Sequence, residues 1–87
     1  MEKRFHTECE FDDSDSFFKC NTEIYHNSNL KEIKNYKIII PSNLRISDRG
    51  IDKVSFIGYC SRGYKPSYDP IIDKILYESY YQVCLKK

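Results

Sequence analysis

The chain has 87 residues, of which 40% are hydrophobic and 31% charged, and its formal net charge at pH 7 is +1. This composition is ordinary for a folded domain, and it excludes a disordered chain and a strongly basic nucleic-acid-binding protein. No apolar run approaches the roughly 20 residues that a membrane-spanning helix needs. We therefore expect one small domain over residues 1–87, without a membrane contact.

Two alternating segments at the start predict a β-hairpin. Residues 4–11 and 17–25 each place apolar or small side chains at every second position, and the Asp/Ser-rich residues 12–16 between them favour a turn. Folding about that turn brings residues of like character opposite each other, as cross-strand packing favours. The predicted pairs are Phe11 with Phe18, Cys9 with Cys20, Thr7 with Thr22, and Phe5 with Ile24.

The middle of the chain predicts one loop, a helical turn and two further strands. Residues 26–29 have loop composition, and residues 30–34 are assigned a short helical turn. Residues 35–40 form a continuous apolar run, which indicates a central strand. Residues 42–47 are assigned a short strand or a linker, residues 48–50 a turn, and residues 51–60 a strand. In that last strand Val54 and Phe56 point inward, and Gly58 indicates a bulge.

The segment that follows Tyr68 has the apolar spacing of an amphipathic helix. Asp69 is a good N-cap residue, and Pro70 suits the first helical position. Up to Glu78 the pattern predicts a helix, whereas residues 79–87 also alternate like a strand. The predicted buried stripe is Ile71, Ile72, Ile75, Leu76, Tyr80, Val83 and Cys84, and the outer side is Asp73, Lys74, Tyr77, Glu78 and Tyr81.

These elements predict an α+β fold of two layers. A small, mostly antiparallel sheet of three or four strands forms one layer, and one C-terminal helix covers it.

The four cysteines are expected to be buried free thiols. The charged N-terminal residues lack the apolar segment of a signal peptide, so a reducing cytoplasm is the expected location. Two disulfides, with three possible connectivities, remain an alternative. Zinc binding by His6, Cys9, Cys20 and His26 is disfavoured, because His6 and Cys9 point to opposite faces of a regular strand. We expect no metal and no cofactor.

The loop before the helix carries the candidate binding residues. Arg62, Tyr64, Lys65 and Tyr68 mix cations with aromatic rings, which suits a protein partner and also suits single-stranded nucleic acid. Tyr77 and Tyr81, on the outer side of the helix, extend this candidate surface. An ordinary solvent-exposed role for these tyrosines is the competing interpretation.

An acidic surface is the alternative. Glu8, Glu10, Asp12, Asp13 and Asp15 form an acidic edge on the first hairpin, which suits imitation of nucleic-acid phosphates. Such a row more often prevents edge-to-edge strand pairing.

No catalytic motif supports an enzyme. The chain has no phosphate-binding loop, no dinucleotide fingerprint and no HExxH segment. A small ribonuclease toxin is the best enzyme hypothesis, with Arg45, Arg49, Arg62, Tyr64 and Lys65 on its sheet surface. The near-neutral charge and the acidic hairpin stand against it.

Size and composition resemble those of phage-encoded inhibitors of host machinery, including anti-CRISPR proteins. High usage of Ile, Tyr, Lys, Asn and Ser is typical of an A·T-rich genome. The resemblance implies a non-enzymatic protein that docks on a larger host protein or nucleoprotein complex in the host cytoplasm. A nucleic-acid-binding domain that uses the basic second half is the alternative, and the oligomeric state is left open.

Overall fold

The computed structural model describes residues 2–12, 17–41, 43 and 51–86. Four strands form one antiparallel sheet in the order β3-β2-β1-β4, and a C-terminal helix lies across one face. This confirms the predicted two-layer α+β fold. Residues 13–16 of the turn predicted at 12–16, residue 42 and residues 44–50 lie outside the described residues, and Asp12 ends the first strand. The elements are β1 (Lys3–Asp12), β2 (Phe17–His26), β3 (Asn29–Ile39), β4 (Lys53–Tyr59), a 3₁₀ turn (Cys60–Arg62) and α1 (Pro70–Tyr80), which continues as one π-helical turn (Tyr81–Leu85).

The first hairpin has the predicted register. All four predicted pairs are direct neighbours across β1 and β2. On the buried face of the hairpin the hydroxyls of Thr7 and Thr22 are 2.8 Å apart, and the Tyr36 hydroxyl lies 2.7 Å from that of Thr22. This chain of hydrogen bonds satisfies polar groups that would otherwise be buried without partners.

β3 differs from the prediction in extent and in position. β3 begins at Asn29 and includes residues 30–34, where a helical turn was expected, because Asn27 and Ser28 both adopt positive φ and close a two-residue hairpin loop. β3 is also an edge strand rather than a central one. Ile38 and Ile40 are buried, whereas Ile39 between them is 64% exposed. The apolar run therefore has one buried face.

β4 contains no bulge at Gly58. The register of β4 with β1 is continuous, and Gly58 lies opposite Phe5. A Cβ atom at Gly58 would overlap the phenyl ring of Phe5, which is itself 2% exposed. The glycine is therefore required because the ring occupies the space that a side chain would need.

The helix begins and ends through contacts that differ in kind. The Asp69 carboxylate accepts from the backbone N–H groups of Ile71 and Ile72, at 2.9 and 3.2 Å, as predicted for an N-cap. At the other end Lys3 Nζ donates to the Val83 carbonyl at 2.9 Å, and Lys34 Nζ donates to the Gln82 carbonyl at 2.7 Å. Lysines from two strands thus bind the unpaired carbonyls of the last turn, and the helical alternative for residues 79–85 is confirmed.

The buried stripe of the helix is narrower than predicted. Its fully buried positions are four residues apart: Ile71, Ile75, Ser79 and Val83. Ile71 and Ile75 pack with Cys9, Phe18, Cys20, Ile38 and Ile40, and Val83 packs with Phe5 and Ile24. Burying each isoleucine contributes roughly 1.5–3 kcal/mol. The Ser79 hydroxyl is buried without a hydrogen-bond partner among the described residues.

The cysteines are paired, and the expectation of free thiols is wrong. Cys9 and Cys20 form a disulfide across the hairpin, where the register holds their Cα atoms 4.1 Å apart. Cys60 and Cys84 form a second disulfide, because the helix brings Cys84 back to the end of β4. A preference for reduced thiols was based on the expected compartment, and it overlooked the close approach that the register itself implies.

No helix within the described ranges is both long and apolar enough to cross a membrane.

Candidate functional site

The loop between β4 and α1 is fixed at both ends. Its first residues form the 3₁₀ turn, where the Gly63 N–H donates to the Cys60 carbonyl at 3.3 Å, and Gly63 adopts a φ of 72°. The Cys60–Cys84 disulfide ties this end to the last turn of the helix. The other end is the N-cap Asp69, whose N–H donates to the Ser67 hydroxyl at 3.2 Å. Positioned ends lower the entropy that the loop loses on binding.

Asp73 holds the middle of the loop against the helix. The Tyr64 hydroxyl donates to the Asp73 carboxylate, and the Ser67 backbone N–H donates to the same oxygen at 3.0 Å. The Tyr64 ring also packs edge-on against Tyr77, with ring centroids 5.2 Å apart. The sequence analysis assigned Asp73 only to the outer side of the helix, because its partners come from a loop whose path the sequence does not define.

The contacts of Asp73 with Tyr64 and Ser67, which we call the clamp, shift the pKa of both Tyr64 and Asp73. The hydrogen bond to Asp73, followed by burial, raises the pKa of Tyr64 to about 12. The hydrogen bonds from Tyr64 and from the Ser67 backbone hold the pKa of Asp73 below its ordinary value. The clamp therefore consists of neutral tyrosine and ionised aspartate across the whole neutral pH range.

A groove of about 210 Å³ lies between this loop and the edge of the sheet, and we call it the loop-side groove. It is smaller than the roughly 300–1,000 Å³ of typical small-molecule pockets, and it has the size for one or two side chains. Its lining includes two cations and no acidic residue. The floor is Phe5, Phe56, Leu76 and Tyr80, the loop wall is Arg62, Gly63, Tyr64 and Lys65, and the strand wall is Ile57, Gly58 and Tyr59.

The structure brings together three of the predicted binding residues. Arg62, Tyr64 and Lys65 form one wall of the loop-side groove. Tyr68 belongs to the same loop and is fully exposed, but it does not line the groove. Tyr77 reaches the site through its contact with Tyr64, whereas Tyr81 is an exposed residue of the last helical turn outside the groove.

The strand wall was not predicted from the sequence. Ile57 is 55% exposed, and the guanidinium carbon of Arg62 lies 4.1 Å from the ring centroid of Tyr59. Ile57 and Tyr59 belong to the alternate set of β4 residues whose side chains point away from the helix. The alternation of side chains along the strand could have predicted this placement, because Val54 and Phe56 point inward and Ile57 and Tyr59 therefore point to the opposite face.

The sheet face opposite the helix has no cover in the described part of the chain, and we call it the uncovered face. It forms an open trough of about 670 Å³, lined by charged and amide side chains from all four strands. At one end Arg4 lies over the Tyr25 ring, with 4.5 Å from its guanidinium carbon to the ring centroid. Tyr59 is opposite Arg4 in the register, so this row continues to Arg62.

The predicted acidic residues do not form an edge. β1 is an inner strand, and its Glu8 and Glu10 line the trough of the uncovered face. Lysines accompany them: Lys53 Nζ lies 3.6 Å from the Glu10 carboxylate, and Lys19 Nζ lies 3.4 Å from the Asp12 carboxylate. Asp13 and Asp15 lie outside the described residues. The part of this surface that is described therefore has mixed charge.

The sulfurs of Cys9 and Cys20 are bonded to each other, so the four-residue zinc set considered above has lost two of its ligands. Among the residues with described positions, no group of three or more His, Cys, Asp or Glu side chains is arranged to hold a metal ion. Arg45 and Arg49, which the ribonuclease hypothesis requires, are outside the described ranges.

Comparisons with protein-family models, with curated proteins and with solved structures find no match to this chain. Function is therefore inferred from the site geometry.

Proposed function

We propose that this protein is a non-enzymatic binding module that docks on a larger protein through the loop-side groove. The observation that supports the proposal is the wall formed by Arg62, Tyr64 and Lys65 beside an apolar floor. Arginine and tyrosine are the residues that most often dominate protein interfaces, especially around a small pocket that one partner side chain fills.

The construction of the loop supports this proposal energetically. The disulfide at Cys60, the clamp at Asp73 and the cap at Asp69 fix the loop before a partner arrives. A preformed site avoids part of the ordering cost of association, which reaches about 0.5–1.5 kcal/mol for each immobilised long side chain. A side chain such as Tyr68, which is fully exposed on this fixed loop, is then available as an additional contact.

The proposed biological role is inhibition of a larger host protein or nucleoprotein complex, as size and composition favour. The sequence favours a cytoplasmic location, whereas two disulfides favour an oxidising compartment, because the cytosol keeps most thiols reduced. Binding is therefore tested with the oxidised protein.

Nucleic-acid binding is the second candidate, and one observation favours it. The row Tyr25, Arg4, Tyr59 and Arg62 alternates rings with guanidinium groups on the uncovered face. Bases stack on both kinds of group when proteins bind single strands. The acidic side chains Glu8, Glu10 and Glu23 on the same face oppose phosphate binding beyond this row.

The test compares two double variants of equal charge on an affinity resin. Arg62→Ala/Lys65→Ala removes the cations of the groove wall, and Lys31→Ala/Lys86→Ala removes two exposed cations elsewhere. If the proposal holds, the oxidised wild type and the control variant capture a protein from host lysate, whereas the groove variant does not. Equal capture by both variants would contradict it. Capture that disappears after nuclease treatment would favour the nucleic-acid candidate.

A further inference from the structure

The outer edge of β4 directs backbone N–H and C=O groups away from β1, beside the loop-side groove. The Phe11 N–H donates to the Asp52 carbonyl at 2.8 Å, which shows that Phe11 directs its backbone groups toward the β4 side. Because these directions alternate along a strand, Val54, Phe56 and Gly58 direct their backbone N–H and C=O groups toward β1. Lys53, Ser55, Ile57 and Tyr59 then direct their N–H and C=O groups outward. Within the described ranges no backbone group bonds to this edge.

From this placement we propose that β4 accepts an extended, acidic peptide segment of the partner protein as a fifth antiparallel or parallel strand. An extended segment supplies backbone donors and acceptors to the outer edge of β4, and its alternate side chains point to the two faces of the sheet. On the helix side they enter the loop-side groove with its apolar floor. On the uncovered face they lie beside Lys53 and Arg62.

Charge determines the class of peptide. The groove lining contains Arg62 and Lys65 and no acidic residue. Lys53 adds a third cation at the start of β4, 3.6 Å from Glu10. Acidic side chains at the alternate positions that point to the uncovered face would meet Lys53 and Arg62, whereas basic ones would be repelled. The groove volume of about 210 Å³ limits the apolar anchor to one large side chain or two small ones.

The opposite edge of the sheet is formed by β3. By the same alternation Asn35 of β3 directs its backbone groups outward, since Tyr36 pairs with Cys20 across β2 and β3. Of the two cavities described, neither places an apolar floor beside that edge. β3 therefore offers a matched control edge in the same protein.

The test uses a blocked peptide of about seven residues in which glutamate alternates with valine, a length that matches β4. Titration into the ¹⁵N-labelled oxidised protein should shift the amide signals of β4 and of residues 62–65. A peptide with lysine in place of glutamate, and one with N-methylated alternate amides that cannot pair, should each bind at least about tenfold more weakly.

Two proline variants locate the edge. Ser55→Pro removes one outward N–H of β4 while the pairing of β4 with β1 is kept. Asn35→Pro removes one outward N–H of β3 while the pairing of β3 with β2 is kept. Ser55→Pro should lose about tenfold or more in peptide affinity, relative to Ser55→Ala and Asn35→Pro. Ser55→Ala is the matched control, because the contact of the Ser55 hydroxyl with His6 is absent in both variants.

Absence of saturable binding, equal affinity for the N-methylated peptide, or signal changes confined to β3 would overturn the proposal. The N-methylated peptide decides the question even if Ser55→Pro does not fold. If the peptide binds only weakly and oligothymidylate displaces it, the surface is assigned to nucleic acid and the proposal is wrong.

This inference rests on the proposed docking function, but the two fail differently. If a captured partner depends on Arg62 and Lys65 and is retained by Ser55→Pro, docking stands and strand addition is wrong. If capture does not depend on Arg62 and Lys65, the docking function itself is wrong.

Discussion

Removal of the Cys60–Cys84 disulfide is expected to cost a large share of the stability of the protein. The two cysteines are 24 positions apart, and closing a loop of that length restricts the unfolded chain by about 3.5 kcal/mol in the chain-entropy model. A domain of 87 residues has a total free energy of unfolding of roughly 4–13 kcal/mol. The double variant Cys60→Ser/Cys84→Ser should therefore unfold at a much lower urea concentration than the wild type.

The measurement is a urea melt of the oxidised wild type and of the double variant, with the free energy of unfolding extrapolated to water. Mass spectrometry after alkylation in denaturant should show no free thiol in the wild type. A loss below about 1 kcal/mol, with the disulfide confirmed in the wild type, would refute the reasoning, because the constraint would then not be stabilising. A wild type with four alkylated cysteines would refute the pairing itself.

The remaining predictions concern the core and the clamp. Ile75→Ala should cost about 2–5 kcal/mol in the same urea melt, because Ile75 is fully buried. Ser79→Ala should instead stabilise by about 1 kcal/mol, since it removes a buried hydroxyl that has no hydrogen-bond partner among the described residues, and a destabilised variant would show that the hydroxyl is bonded. Gly58→Ala should destabilise by about 1–3 kcal/mol through overlap with Phe5, and an unchanged melt would contradict that contact. In a 295 nm titration Tyr64 should ionise near pH 12, so the clamp is intact below pH 10 and is lost as the pH rises from 10 to 12. Tyr64→Phe should lack this late step, and an identical curve would exclude the clamp.

The parts of the fold that follow from local pattern were predictable. The register of β1 and β2 is confirmed because alternation and turn composition act on neighbouring residues. The Asp69 cap is confirmed for the same reason, since its carboxylate accepts from residues only two and three positions later. The loop residues Arg62, Tyr64 and Lys65 were predicted as a group because they are adjacent in sequence.

The features that were missed depend on contacts between distant parts of the chain. Lys34 binds the Gln82 carbonyl across 48 positions, and Cys84 meets Cys60 only after the helix has packed. The start of β3 was not predicted, because the loop before it depends on a positive φ at Ser28, and serine is not a residue type that indicates this conformation. The predicted register already sets Cys9 opposite Cys20, but the expected reducing cytoplasm disfavours a bond between them.

The Cys9–Cys20 bond also has a consequence for the route of folding. A bond between directly opposed residues keeps Cys9 beside Cys20 in the oxidised, denatured chain, and it excludes a register that is slipped by one residue. The search for the first long-range contact is then already complete, and loop closure no longer limits the formation of the hairpin. Oxidised chains should consequently refold from urea faster than reduced chains, with the hairpin as the template on which β3, β4 and the helix assemble.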